Sequence, residues 1–131
     1  MRRVERPGRA VLTALVLAPS LAVAGPLVRC HVDYGGETRT IEARPVASPL
    51  AVAPVEVGSY FRFRLVVLRA AGLPDEVRIE TFSDRDDGPV LVHQGRYPWP
   101  RRAGEFTGHQ TVYEPVRDGE LQYRCEWTNT R

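Results

Sequence analysis

The segment VRCHVDYGGETRT, residues 28–40, decides the fold. Apolar and polar residues alternate up to Tyr34, and successive side chains of a β-strand point to opposite faces. The glycine pair 35–36 permits the positive φ angles of a tight hairpin turn, and a second strand-like run follows over residues 37–44. The segment therefore predicts a β-hairpin with Cys30 on its inward face.

The same alternation recurs along the rest of the chain. Further segments that each predict a strand cover residues 60–68, 77–81, 90–97, 110–114 and 121–127. Residues 45–58 are rich in proline and predict an extended crossover, whereas residues 98–108 predict a loop. About seven strands without helical periodicity predict an all-β fold, an antiparallel β-sandwich of immunoglobulin-like architecture.

Residues 1–24 have the pattern of a cleavable signal peptide. Four arginines in the first nine residues precede an apolar run over residues 10–17, and Ala22-Val23-Ala24 forms the small-residue cleavage pattern. The apolar stretch is shorter than the roughly 20 residues that a membrane-spanning helix needs, so no membrane span is expected in the mature chain. We expect export and a single β-sandwich domain over residues 25–131.

Two cysteines, Cys30 and Cys125, remain in the predicted mature chain. An even number of cysteines in an exported protein favours pairing, and both lie on the inward face of a predicted strand. We therefore expect a disulfide that makes the first and last strands neighbours. The alternative is a pair of reduced metal-binding thiolates. In true immunoglobulin domains a tryptophan lies between the paired cysteines, whereas Trp127 follows Cys125 here.

Removal of the signal peptide changes the charge of the chain. The full chain has 18 basic and 16 acidic residues, and the leader contains four of the former and one of the latter. The mature chain then has a net charge of about −1, so the basic pI of the full chain does not indicate a nucleic-acid-binding surface.

Several short segments resemble a group of small uncharacterised exported proteins of Gram-negative bacteria. The similar segments are residues 29–38, 43–47, 113–115 and 120–125. This resemblance implies a periplasmic location and carries no known activity.

Enzyme motifs are absent from the sequence. None of Ser48, Ser59 and Ser83 lies in a nucleophile elbow, and the chain contains neither H-E-x-x-H nor a glycine-rich phosphate loop. Cys30 and His31 are adjacent in a predicted strand and point to opposite faces, so His31 cannot readily activate Cys30. We therefore expect a non-enzymatic protein without a cofactor.

The loop after the strand 90–97 is the best candidate contact surface. Tyr97, Trp99, Arg101 and Arg102 lie in a proline-rich stretch and are residue types that are enriched in protein interfaces. These residues predict a site for a periplasmic or envelope protein partner. The alternative is that Trp99 folds back to cap one end of the sandwich while the arginines are solvated. A second candidate surface, the row of Arg62 and Arg64, is explained more simply by pairing with Glu80 or Asp33.

The three histidines suggest an alternative function. His31, His93 and His109 lie on separate segments, and a sandwich could bring them together to bind copper or zinc. The spacing of the histidines gives no support to the metal site, and a small-ligand site that uses the same histidines is a related possibility. The acidic turn at residues 84–88 resembles a calcium loop that lacks its final glutamate, because Gly95 occupies that position.

Overall fold

The computed structural model describes residue 8, residues 14–21 and residues 25–130. The described chain contains ten β-strands and one 3₁₀ turn, Pro49–Ala51. None of its helical segments is both long and apolar enough to cross a membrane. Most of the predicted signal peptide, including the cleavage site at residues 22–24, lies outside the described residues, and residues 14–21 have no regular secondary structure.

The first sheet joins the two ends of the chain. Its five strands are β1 (Gly25–Tyr34), β2 (Glu37–Ala43), β8 (Gly104–Glu105), β9 (Gln110–Glu114) and β10 (Gly119–Thr130). The order is β2-β1-β10-β8, and β9 pairs with another part of β10. Because β1 and β2 pair in antiparallel register around the glycine turn, the hairpin predicted from the sequence is confirmed.

The second sheet contains the middle of the chain. Its five strands are β3 (Pro45–Val46), β4 (Val55–Val57), β5 (Phe61–Leu68), β6 (Glu76–Arg85) and β7 (Gly88–Pro98). The order is β3-β5-β6-β7, and β4 also pairs with β5. One pair departs from the predicted antiparallel arrangement, because β3 runs parallel to β5. After Arg44 the chain passes from the first sheet to the second, where β3 lies beside β5 and runs in the same direction.

The inward faces of both sheets form one core. On β5 the alternation of Phe61, Phe63 and Leu65 with arginines places the apolar side chains inside, each at most 2% exposed. On β10, Leu121 and Tyr123 meet them from the first sheet. Full burial of each such side chain contributes about 1.5–3 kcal/mol. The result is an all-β, sandwich-like fold of two sheets, as the alternation predicts.

A disulfide joins Cys30 to Cys125. The two residues lie opposite each other in the β1–β10 register, and their Cα atoms are 4.1 Å apart. The predicted bridge between the first and last strands is confirmed. It lies within one sheet, whereas the disulfide of an immunoglobulin domain connects two sheets.

Candidate binding cleft

A surface cleft of about 320 Å³ opens where β7 ends. Its lining consists of Tyr97, Pro98, Trp99, Pro100, Arg101 and Phe106. Three of the four residues predicted as partner contacts therefore lie at one cleft, which we call the aromatic cleft. The fourth, Arg102, is exposed beside it and does not line it.

Trp99 is held against the end of the sandwich from three sides. Its backbone N–H donates to the carbonyl oxygen of Asp75 at 3.3 Å. Its ring meets the ring of Trp127 edge to face, with centroids 5.9 Å apart, and the guanidinium of Arg69 lies 4.9 Å from its centroid. Trp99 thus folds back onto the edge of the core, as the capping alternative predicts, and it also lines the cleft.

Phe106 forms the wall that belongs to the first sheet. Its backbone N–H donates to the carbonyl oxygen of Cys125 at 3.1 Å, and the next residue, Thr107, accepts a hydrogen bond from the Cys125 N–H at 2.9 Å. The Phe106 ring meets the Tyr97 ring edge to face at 5.4 Å. Because Tyr97 lies on β7 of the second sheet, the two walls of the cleft are fixed by different sheets.

A polar cluster lies in the interior behind Tyr97. His93 Nε2 hydrogen-bonds the Tyr123 hydroxyl at 2.9 Å. Burial raises the pKa of Tyr123, and the charge and hydrogen bond of Tyr97 raise it further. Burial lowers the pKa of His93, which favours its neutral form. Gly95 leaves the space for this cluster, because a Cβ atom there would lie 2.8 Å from Cε2 of Tyr97.

The arginines around the cleft differ in their pairing. Arg69 pairs with Asp75 at 2.9 Å, and Arg96 pairs with Glu76 at 2.9 Å. Burial acts to raise the pKa of Glu76. Hydrogen bonds from Arg96 and Arg78 outweigh the effect of burial, so the pKa of Glu76 is lowered. Arg101 is exposed and has no ion-pair or hydrogen-bond partner in the part of the chain that the structure describes.

The second predicted arginine surface is paired. Arg64 contacts Glu80 at 2.5 Å, which was one of the predicted partners. Arg62 contacts Asp84 at 3.1 Å, and neither arginine pairs with Asp33. The outer face of the second sheet therefore neutralises these charges through cross-strand pairs.

The three histidines have separate environments. His31 lies between two core residues of β1 and so faces the outer side of the first sheet, 3.4 Å from Glu126. His93 contacts Tyr123 in the interior, and His109 is exposed in the loop before β9. Among residues 14–21 and 25–130 no group of three histidine, cysteine or acidic residues could hold a metal ion. Nothing in this arrangement favours the copper or zinc alternative.

One buried carboxylate, that of Glu114 on β9, lies at the other end of β7 and was not predicted from the sequence. Glu114 is fully buried and accepts hydrogen bonds from the Arg117 N–H at 2.8 Å and from Arg85 Nη2 at 3.3 Å. Burial acts to raise the pKa of Glu114, but these bonds, together with those from Ser83 and Val116, outweigh it and lower the pKa. The alternation along β9 could have predicted this burial, because Glu114 lies on the same inward face of the strand as Val112.

Comparisons of the chain with protein-family models, with curated protein sequences and with solved structures found no match.

Proposed function

We propose that the chain is an exported, non-enzymatic module of the periplasm that binds a protein partner or supports an envelope complex through the aromatic cleft. An immunoglobulin-like arrangement of the two sheets is part of this proposal. The observation that carries it is the cleft itself. Its two aromatic walls are anchored to different sheets, and Arg101 at its rim has no partner in the described part of the chain.

Export is supported by three features of the chain. The disulfide is typical of proteins in oxidising compartments. The apolar side chains of Leu15, Val16, Leu17 and Leu21 are 83–91% exposed, so they do not belong to the core of the domain. An apolar segment that follows several arginines and stays outside the core suits a leader peptide that is removed.

Protein binding is supported by the rigidity and composition of the cleft. Trp99 is fixed by a backbone hydrogen bond, a ring contact and a cation–π contact, so docking orders few additional groups. Tryptophan, tyrosine and arginine are the residue types that most often dominate binding energy in protein interfaces. A volume of about 320 Å³ is at the lower limit for ligand pockets and suits a few side chains of a partner.

The non-enzymatic part of the proposal is supported by the chemistry of the lining. Among the described lining residues, the polar side-chain groups are the Tyr97 hydroxyl, the Trp99 indole N–H and the Arg101 guanidinium. The described lining has no serine, cysteine, histidine or carboxylate that could serve as nucleophile or general base.

Site-specific photocrosslinking in the periplasm tests this function. A photoreactive residue in place of Arg102, beside the cleft, should form a discrete protein adduct, whereas the same residue in place of Leu50 should not. Leu50 is a suitable control because it is 92% exposed in the 3₁₀ turn, outside the cleft. Trp99→Ala should abolish the adduct at position 102. Identical adducts at both positions, or an adduct that survives Trp99→Ala in a folded protein, would contradict the proposal.

A further inference from the structure

We propose that the occupant of the aromatic cleft is an extended, proline-containing segment of the partner that carries a carboxylate next to its prolines. This inference rests on the proposed protein-binding function and adds the chemical class of the bound segment. The segment would adopt the polyproline II conformation, in which proline rings project from a backbone without internal hydrogen bonds.

The walls of the cleft suit proline rings. Proline-rich segments bind in grooves lined by aromatic side chains, and their preformed conformation loses little entropy on binding. Tyr97 and Phe106 meet at an interplanar angle of 80°, so they form a corner of two ring surfaces instead of a parallel stack. Trp99 provides a third ring in the same cleft. The small volume admits one or two proline rings at a time.

The positive charge at the rim of the cleft favours an acidic residue next to the prolines of the bound segment. Arg69 and Arg96 already form ion pairs with Asp75 and Glu76. Arg101 and Arg102 have no such partner among residues 25–130, and both are exposed. A guanidinium binds a carboxylate through two parallel hydrogen bonds, so an aspartate or glutamate beside the bound prolines would complete the pairing.

A glycan is a poorer match for the same cleft. Sugar hydroxyl groups are both donors and acceptors, so their recognition calls for acceptor groups as well as ring surfaces. The described lining contains no carboxylate and no side-chain amide, and its polar side-chain groups are one phenol, one indole N–H and one guanidinium. This composition favours an acidic peptide over a carbohydrate.

Titration with synthetic peptides tests the inference. The probe is acetyl-Ala-Pro-Pro-Asp-Pro-Ala-amide, added to the exported protein recovered from the periplasm, with tryptophan fluorescence and NMR shifts as readouts. We expect saturable binding that shifts the resonances of Tyr97, Trp99 and Phe106. The same peptide with alanine in place of each proline should not bind. Replacing its aspartate with asparagine should weaken binding about two- to fivefold, as for an exposed ion pair.

A double-mutant cycle assigns the carboxylate to its arginine. Arg101→Ala should weaken binding of the aspartate peptide by the same factor, and the asparagine peptide should bind wild type and Arg101→Ala equally. Arg124→Ala is the matched control, because Arg124 is an exposed arginine on β10 whose removal changes the net charge identically. An equal loss in the Arg124→Ala variant would overturn the assignment, because it would reflect net charge alone.

Three outcomes overturn the inference, and of these only the second also contradicts the proposed protein-binding function. The first is a Trp99-dependent crosslink at position 102 in a protein that binds none of the peptides. The second is binding of a peptidoglycan oligosaccharide that shifts the Trp99 resonance where the peptides do not. The third is self-association that Trp99→Ala abolishes, measured by sedimentation, which would make a second copy the occupant. Loss of the crosslink alone, with peptide binding retained, contradicts only the cellular function.

Discussion

Both ends of the sandwich contain paired arginines, but the cleft end also has two arginines without a partner in the described part of the chain. At the end that includes the turn from β6 to β7, Arg85 and Arg117 surround the buried carboxylate of Glu114. Arg117 also lies 4.3 Å from the ring centroid of Tyr60 and donates to the carbonyl oxygen of Asp84 at 2.6 Å. These arginines are committed to internal contacts.

The end with the aromatic cleft differs in the pairing of its arginines. Its aromatic residues are fixed from both sheets, but Arg101 and Arg102 have no partner in the described part of the chain. Both ends have a surface cleft, of about 320 Å³ at Trp99 and about 250 Å³ at Arg117. The comparison teaches that the pairing state of the arginines, more than their number or the cleft volume, separates a structural cluster from a candidate binding surface.

Removal of the disulfide should have the largest effect and should affect both ends alike. The bridge closes a loop with a sequence separation of 95 residues, for which the chain-entropy model gives about 4–5 kcal/mol of stabilisation. The Cys30→Ala/Cys125→Ala variant should lose about this much free energy of unfolding, measured by urea denaturation.

Two probes test whether the two ends unfold in one common transition or independently of each other. Trp99 and Trp127 fluorescence monitors the cleft end, and NMR signals of Val116 and Arg117 monitor the Glu114 end. We expect coincident transitions in the variant, because one core spans both ends. Transitions at different urea concentrations would show that the two ends are separate folding units.

Loss of the Glu114 charge should destabilise the fold through contacts that lie only at the buried-carboxylate end. The pKa of this group is held below its ordinary value of 4.5 in the folded state. The stabilisation is therefore present above about pH 4.5, and it is lost as the pH falls through the folded-state pKa, because the unfolded chain takes up the proton first. Glu114→Gln should lower the free energy of unfolding at neutral pH and flatten its decline in acid.

The matched control for this variant is Glu37→Gln on β2, where the carboxylate is exposed. Urea denaturation at about pH 7 and about pH 3 provides the measurement, since the two values bracket the titration of carboxylates. If Glu37→Gln flattened the acid profile as strongly as Glu114→Gln, the buried cluster would not be its cause.

The fold could be predicted from the sequence wherever a strand is long enough to show alternation. The first hairpin, β5 and β10 each have a clear apolar face, and the inward orientation of Cys30 and Cys125 follows from it. By contrast, β3 and β8 are two residues long, which is too short for any periodicity. The parallel direction of β3 depends on where the crossover docks, which is a tertiary effect.

The candidate site was predicted only in part, for a similar reason. Tyr97, Trp99 and Arg101 are close in sequence and stand out by residue type. Phe106 was missed because it reaches the cleft only when the loop docks on Cys125 of β10. The contact of Arg69 with Trp99 was missed because it joins residues that lie 30 positions apart and belong to different loops.

Gly95→Ala should affect the cleft end more than the other end. The added Cβ would lie 2.8 Å from Cε2 of Tyr97 and 3.3 Å from the Tyr123 hydroxyl, so the Tyr97 ring must shift. Overpacking of this kind costs about 1–3 kcal/mol. NMR should show shifts at Tyr97 and Phe106 and none at Arg117. Unchanged Phe106 resonances would show that the cleft wall does not depend on Tyr97.

The smallest expected effects come from replacing either of two threonines with valine. The two substitutions should change the free energy of unfolding in opposite directions. Thr81 faces the interior beside His93, and its buried hydroxyl has no hydrogen-bond partner in the described chain. Thr107, at the cleft end, is satisfied: its hydroxyl donates to the Gly108 carbonyl at 2.8 Å and accepts from the Cys125 N–H at 2.9 Å. An unsatisfied buried hydroxyl costs about 1–3 kcal/mol, so Thr81→Val should stabilise the fold by about 1 kcal/mol.

Thr107→Val should instead destabilise the fold by about 1–2 kcal/mol, because it leaves the buried N–H of Cys125 without an acceptor. Both variants remove one hydroxyl from a buried threonine, so the difference between them isolates the hydrogen bonds. Urea denaturation of the two variants measures it. If Thr81→Val proved destabilising, its hydroxyl would have a partner such as a buried water. The interior would then contain a further polar contact at Thr81, and only the prediction for Thr107 would remain.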